Sequence, residues 1–150
     1  MRINLGCGIN HKEGWENCDK DPYVLPDRVL DITQRLPYQS DSIDEVFTSH
    51  TLEHISREDL VDKVLPEIWR VCKKDAKVTI IVPHMFSQNV LNHVTFFSSD
   101  TFRNWDGSVY DSSDNFPFRF SFRLIDLKVR RERIPPFKPT EICVIMRARK

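Results

Sequence analysis

Apolar positions in the first half of the chain fall in short runs separated by turn residues. Arg2 to Leu5 reads as a strand closed by Gly6. Trp15 to Cys18 reads as a second, closed by Asp19-Lys20-Asp21-Pro22, and Arg28-Val29-Leu30 as a third, closed by Asp31. Ile43 to Ser49 makes a fourth, entered through the polar turn Gln39-Ser40-Asp41-Ser42. The period then becomes helical. Ser56-Arg57-Glu58-Asp59 has the form of a capping box with Asp in place of the usual Glu, and Leu60, Val64, Leu65, Ile68 and Val71 follow at helical spacing. Pro66 lies inside that stretch and must either kink the helix or restart it at a first-turn position. Val78 to Val82 is a continuous apolar, β-branched run, the pattern of a strand buried on both faces. Ser98 or Ser99 can cap a short helix reaching Trp105.

The last third has a different rhythm. Phe118, Phe120, Phe122 and Leu124 alternate, then Ile125, Leu127 and Val129 alternate on the other parity, which predicts a long strand with a bulge near Leu124. Pro135-Pro136 breaks it, and Ile142, Val144 and Met146 alternate in a final strand. Two long strands in succession after an α/β pattern predict a Rossmann-like three-layer α/β sandwich. Its sheet would be mostly parallel with an antiparallel C-terminal edge strand. At 150 residues, 1–150 reads as a single domain.

Composition narrows the function classes. Hydrophobic residues are 40% and charged residues 29%, a globular rather than disordered balance. No apolar run approaches the ~20 residues of a spanning helix, and the start of the chain has no secretory-signal pattern. Cys7, Cys18, Cys72 and Cys143 are scattered without a C-x-x-C pair, so reduced thiols and a cytoplasmic location are expected. Lys plus Arg and Asp plus Glu are 22 each, which predicts no global attraction to nucleic acid or to an anionic membrane. Residues 1–75 carry 10 basic and 15 acidic side chains and residues 76–150 carry 12 and 7, the surplus reading as a solvated basic face.

Glycine locates the candidate chemistry. There are only 4, against about ten at average usage. Two of them, Gly6 and Gly8, form a tight turn after the first strand, where ligands of open α/β sheets bind. A dinucleotide fingerprint would need a third glycine where His11 stands, and a helix that the ten residues between Gly8 and Asp19 leave no room for. Without a helix N-terminus a phosphate-bearing cofactor fits poorly. A nucleoside without phosphate, carrying an amino-acid tail and a sulfonium, would need the turn but not the helix. Asp19 at the end of the second strand can accept from both ribose hydroxyls, and Asp31 at the end of the third from an adenine amine, with Ile32 and Leu36 against the base.

In order along the chain stand Leu5-Gly6-Cys7-Gly8, Trp15-Glu16-Asn17-Cys18-Asp19, Asp31 through Leu36-Pro37-Tyr38, Ser42-Ile43-Asp44-Glu45-Val46, Leu52-Glu53-His54-Ile55, Glu67-Ile68-Trp69-Arg70-Val71 and Val82-Pro83-His84. Over roughly residues 2–97 this set resembles a class I S-adenosylmethionine-dependent methyltransferase, in the small form with a shortened first helix, similar to members in surface-polysaccharide gene clusters. The resemblance implies S-adenosylmethionine as cofactor. Gly6, Cys7 and Gly8 would lie at the methionine moiety, Asp19 at the ribose, and Asp31 and Ile32 at the adenine. Ser49 and His50 would face the methyl group and the substrate. It also implies a substrate-side loop from Pro83-His84 to Asn92-His93 and Phe97. Where the family carries a Lys-Pro-Gly-Gly turn before the fifth strand, this chain has Lys73-Lys74-Asp75-Ala76. The helices that often cap the cofactor in the family do not precede Met1, so a second copy or another partner completing the active site is expected.

Methyl transfer to a hydroxyl oxygen of a small-molecule or glycan-type acceptor is the expected activity, with His84 or His93 as general base and His50 next. The alternative is a module that binds S-adenosylmethionine or a partner without turnover. His50-Thr51-Leu52-Glu53-His54 matches the inverted zinc-protease signature, but His50 ends a strand, so the two histidines do not share a helical face. No spacing supports a metal held by His50, His84 and His93, and no metal is predicted.

Overall fold

The computed structural model describes residues 1–86, 92–106, 120–131 and 139–150. Seven strands make one sheet: β1 (Arg2–Leu5), β2 (Glu16–Asp19), β3 (Arg28–Val29), β4 (Ile43–Ser49), β5 (Cys72–Pro83), β6 (Phe122–Arg131) and β7 (Pro139–Ala148). Their order is β3-β2-β1-β4-β5-β7-β6. The first five pair in parallel, while β7 is antiparallel to both β5 and β6. The antiparallel pair therefore sits at the C-terminal edge, and the last strand lies one place in from it. β6 and β7, consecutive in the chain, pair antiparallel, and β7 also runs along β5. The parity change of the sequence is real: the β6–β7 register slips between Leu124 and Asp126. Phe118 and Pro135-Pro136 lie outside the described residues.

Registers align the core in rows across the sheet. Leu5 faces Thr48, which faces Ile80, which faces Val144. Ile3, Val46, Val78 and Met146 form the next row. The apolar stripe Leu60, Val64, Leu65, Ile68 and Val71 joins the same buried cluster. On β5 the expectation of two buried faces is corrected. Val78, Ile80 and Val82 are at most 1% exposed, while Thr79 and Ile81 between them are only half-buried. The helical stripe completes the core on the first of these faces, and the described residues cover the second only in part.

The connection from β4 to β5 shows how the chain accommodates its proline. Ser56 caps α1 (Arg57–Asp59), its hydroxyl accepting from the Asp59 N–H at 3.1 Å. A π-helical turn over Leu60–Val64 follows, and α2 (Leu65–Val71) restarts with Pro66 in its first turn. Proline donates no hydrogen bond and crowds the preceding turn, and the wider turn absorbs both effects. Asp75 then adopts φ +60° at the β5 bulge, a left-handed conformation uncommon outside glycine. A third helix, α3 (Ser99–Asn104), is capped by Ser98 and packs Phe102 between Phe97 and Trp105.

Among the described residues no α-helix joins β1 to β2. Two amides hold that connection instead. Asn4 and Asn17 are register partners on adjacent strands, 2% and 5% exposed. The Asn4 amide donates to Asn17 Oδ1 at 3.0 Å and to the Asn10 carbonyl at 3.1 Å. Asn17 Oδ1 also accepts the Lys12 N–H at 2.7 Å, and its amide nitrogen donates to the Lys12 carbonyl and to Asp27. Trp15 closes over this loop with its ring edge against Phe47.

The four cysteines are free thiols. Burial pushes Cys18 up to about 11 and Cys72 up to about 12, so both stay neutral. No helix among the described residues is long and apolar enough to cross a membrane.

Replacing Asn17 with Ala strands one N–H of the Asn4 amide and the Lys12 N–H. Each buried unsatisfied group costs about 1–3 kcal/mol. Urea unfolding should therefore show a loss of about 2–4 kcal/mol, and a change below about 0.5 kcal/mol would contradict the role given to this network.

Candidate functional site

The carboxyl ends of β1, β2, β3 and β4 all open into one pocket of about 520 Å³. It straddles the point between β1 and β4 where the strand order reverses, the usual binding crevice of open α/β sheets. Gly6, Gly8, Asp19, Asp31, Ile32 and His50 line it, together with Thr51 and His54.

The two glycines do different work. Gly6 has φ +65°, and a Cβ there would lie 2.2 Å from Thr51 Oγ1 and 2.3 Å from Thr51 Cγ2. The Thr51 hydroxyl donates to the Gly6 carbonyl at 3.2 Å. Gly6 is thus required for β1 to approach the end of β4. Gly8 has φ +49° and nothing within 4 Å of its would-be Cβ, so its bare backbone leaves room for a ligand. Cys7 between them is not in the pocket wall. Its side chain is buried and its N–H donates to the Cys18 carbonyl at 3.0 Å.

Asp19 is held by two backbone donors, Gly8 N–H to Oδ2 at 2.8 Å and Asp21 N–H to Oδ1 at 3.0 Å. Each oxygen keeps a lone pair for a further donor. Asp31 folds its own turn: Oδ1 accepts the Thr33 N–H and hydroxyl, both at 2.8 Å, and the residue also lines the pocket. The turn-capping role and the ligand-facing role coexist in this residue.

Ser49 and the other two histidines stand differently. Ser49 ends β4 outside the pocket lining, its carbonyl accepting from Thr51. His84 is buried away from the pocket. Its Nδ1 accepts the Phe86 N–H at 3.2 Å, and burial, followed by Arg131, lowers its pKa. His93 also lies outside the lining, its ring 5.3 Å from that of His54. His54 itself is a wall residue. The loop that brings His93 here is tied down by Val94 and Thr95 N–H groups donating to the Glu53 carbonyl, at 2.9 and 3.1 Å.

His50 sits at φ +52°, a conformation uncommon outside glycine and seen at strained functional positions. Its Nδ1 is 3.5 Å from Glu53 Oε1 and its Nε2 is 2.7 Å from Glu141 Oε1. Glu53, with Glu141 behind it, pushes His50 up to about 9 against the opposing effect of burial. The ring is therefore an imidazolium at neutral pH, a donor rather than a base. Glu141 comes from β7, some ninety positions away, and no local pattern announces it.

A Methyltransferase domain model matches residues 6–80, the stretch that builds the pocket from Gly6 to the middle of β5. The chain belongs to the methyltransferase-domain family. A structure of a SAM-dependent methyltransferase from Archaeoglobus fulgidus aligns with TM-score 0.68 at 16% identity, covering 97% of this chain and 85% of that one. An S-adenosylmethionine-dependent methyltransferase from Mesorhizobium loti aligns with TM-score 0.65 at 14% identity, covering 97% and 89%. A Haloferax volcanii methyltransferase, solved in complex with the Trm112 methyltransferase activator, aligns with TM-score 0.66 at 14% identity, covering 99% and 82%. No curated protein matches in sequence. These likenesses are of fold, and the cofactor that goes with this family and fold is S-adenosylmethionine.

The glycines can be told apart by stability. Gly6→Ala adds the Thr51 clash to about 1–2 kcal/mol of left-handed strain, and thermal unfolding should show a collapse that Thr51→Gly partly rescues. Gly8→Ala should cost no more than the strain itself. Equal losses in the two variants would contradict the separate roles.

Proposed function

We propose that this chain binds S-adenosylmethionine in the pocket at the β1–β4 crevice and directs its methyl group to a hydroxyl oxygen of a small-molecule or glycan-type acceptor. The observation that carries the reading is the Gly8–Asp19 pair. A wall with no side chain stands beside a carboxylate whose two oxygens are each steadied by a backbone N–H and each retain a lone pair. A ribose diol is the matching donor pair. The residues fit the rest of such a ligand in the same way, Asp31 and Ile32 for a base and Gly6 with Gly8 for the amino-acid tail.

S-adenosylmethionine supplies a methyl group on a sulfonium, already a strong electrophile. What remains for the chain is to position the acceptor in line, an effect that reaches about 7–11 kcal/mol in favourable cases. Protonated His50, its two N–H groups directed to Glu53 and Glu141, places a fixed positive charge at the pocket wall. His84 has its Nδ1 lone pair committed to Phe86. The hydroxyl proton therefore falls to the two other imidazoles at the site, His54 in the wall and His93 packed on it. The Haloferax volcanii methyltransferase is in complex with an activator protein, which supports a protein partner for this chain as part of this reading.

Calorimetric titration with S-adenosylmethionine tests it. Saturable binding is expected in the wild type, weakened at least tenfold, about 1.4 kcal/mol, by Asp19→Ala. Gly8→Ala should weaken it with the fold intact. No saturable binding at about 1 mM, weaker than about −4 kcal/mol, would overturn the reading. Methyl transfer to glycan extracts, scanned through His50→Ala, His54→Ala, His84→Ala and His93→Ala, then assigns the histidines. Unchanged turnover in all four removes them from the chemistry.

A further inference from the structure

Glu53, His54 and His93 stand together beside the pocket, one ligand-type atom of each within 4.8 Å of the others. Three independent features make this more than a cluster of polar groups. Glu53 is 1% exposed, and its Oε2 has no hydrogen-bond partner among the described residues. Oε1 faces the protonated His50 ring at 3.5 Å, and the bare Oε2 still costs free energy unless a donor or cation meets it. His54 Nδ1 faces the Asn92 carbonyl at 3.1 Å. A carbonyl only accepts, so Nδ1 carries the proton and Nε2 keeps its lone pair. That is the arrangement by which an outer carbonyl prepares a histidine to ligate a metal. Finally, the loop carrying His93 is fixed to the turn carrying Glu53 and His54 by three hydrogen bonds, two to the Glu53 carbonyl and one from Thr95 Oγ1 to the Ile55 carbonyl at 2.6 Å.

We infer that Glu53, His54 and His93 form a site for a divalent transition-metal ion at the acceptor end of the pocket. Two imidazoles and one carboxylate are the donor set of open metal sites, with positions left over for water or substrate. Bonds of about 2.0–2.2 Å in a tetrahedral arrangement put ligand atoms roughly 3.4 Å apart. The present spacing of up to 4.8 Å is wider than that, so binding requires the half-buried His93 ring to turn toward the other two. The set differs from the His50, His84 and His93 combination considered on sequence, because the turn after β4 and the loop after β5 bring Glu53 and His54 to His93 while His84 stays buried elsewhere. Resting on the methyltransferase reading, the site narrows the acceptor to a molecule whose oxygen atoms can ligate the ion, such as one bearing neighbouring hydroxyls. His54 and His93 then act on the acceptor through the ion rather than directly.

Chelator-treated full-length protein titrated with Co2+ tests the site, read by the visible absorption of the bound ion. One equivalent is expected. Glu53→Gln and His93→Ala, each checked for folding by circular dichroism, should weaken binding by at least about 100-fold, beyond what loss of an outer partner gives. His11→Ala should not change it. Zn2+ should displace Co2+, and equimolar Mg2+ should not. No Co2+ band in the folded wild type, equal binding in the folded variants, or equal displacement by Mg2+ would each overturn the proposal. Should Glu53→Gln fail to fold, the less buried His93→Ala decides. S-adenosylmethionine calorimetry on the same metal-free preparation keeps the two readings apart. Metal binding without it leaves the ion site standing and removes the methyl donor, whereas donor binding without Co2+ removes the ion site alone.

Discussion

Two buried amides carry the geometry of the pocket. Asn4 and Asn17 sit side by side on parallel strands and bond each other, the Asn10 and Lys12 backbone, and Asp27. In a sheet of this type a helix ordinarily joins the first two strands and satisfies its own backbone. Here the loop from residue 6 to 15 makes only short turn bonds of its own, Asn10 N–H to the Cys7 carbonyl and Trp15 N–H to the Lys12 carbonyl, and the asparagines supply the rest. Their bonds fix the loop, which fixes the Gly8 N–H, which in turn orients Asp19. A carboxylate held in advance by two N–H groups gives up little freedom when a ligand arrives.

The same economy appears at β4. The strand ends in a left-handed His50, and the next residue, Thr51, touches Gly6 so closely that a methyl group there has no space. β1 and β4 are thereby locked at the switch point. His50 is held by Glu53 from its own turn and by Glu141 from the distant β7, and Arg130 pairs with Glu141 at 2.8 Å. The antiparallel C-terminal pair is thus part of the site as well as of the sheet. That coupling gives the half of the chain outside the family match a reason to stay docked.

Much of this was legible in the residues. Arg2–Leu5 and Ile43–Ser49 announced themselves by apolar runs bounded by glycine and polar turns, and Ser56 by its capping pattern. The parity slip at Leu124 forecast the bulge. Gly6, Gly8, Asp19, Asp31 and Ile32 were found because local turn chemistry puts them at strand ends, and all five line the pocket. What sequence could not give was tertiary. Thr51 under Gly6, Glu141 against His50 and His93 beside His54 depend on contacts between distant segments. Thr79 and Ile81 misled because a β-branched run looks the same whether one or both faces are covered.

The central claim is that the β1–β4 crevice, shaped by the amide network, holds the nucleoside cofactor. Amide hydrogen exchange with and without S-adenosylhomocysteine tests it directly. Added protection is predicted for the turn at Gly6–Gly8, for Asp19–Asp21 and for Asp31–Thr33, with none on β6. Unchanged exchange in those three segments at saturating ligand, or protection confined to another part of the sheet, would contradict it.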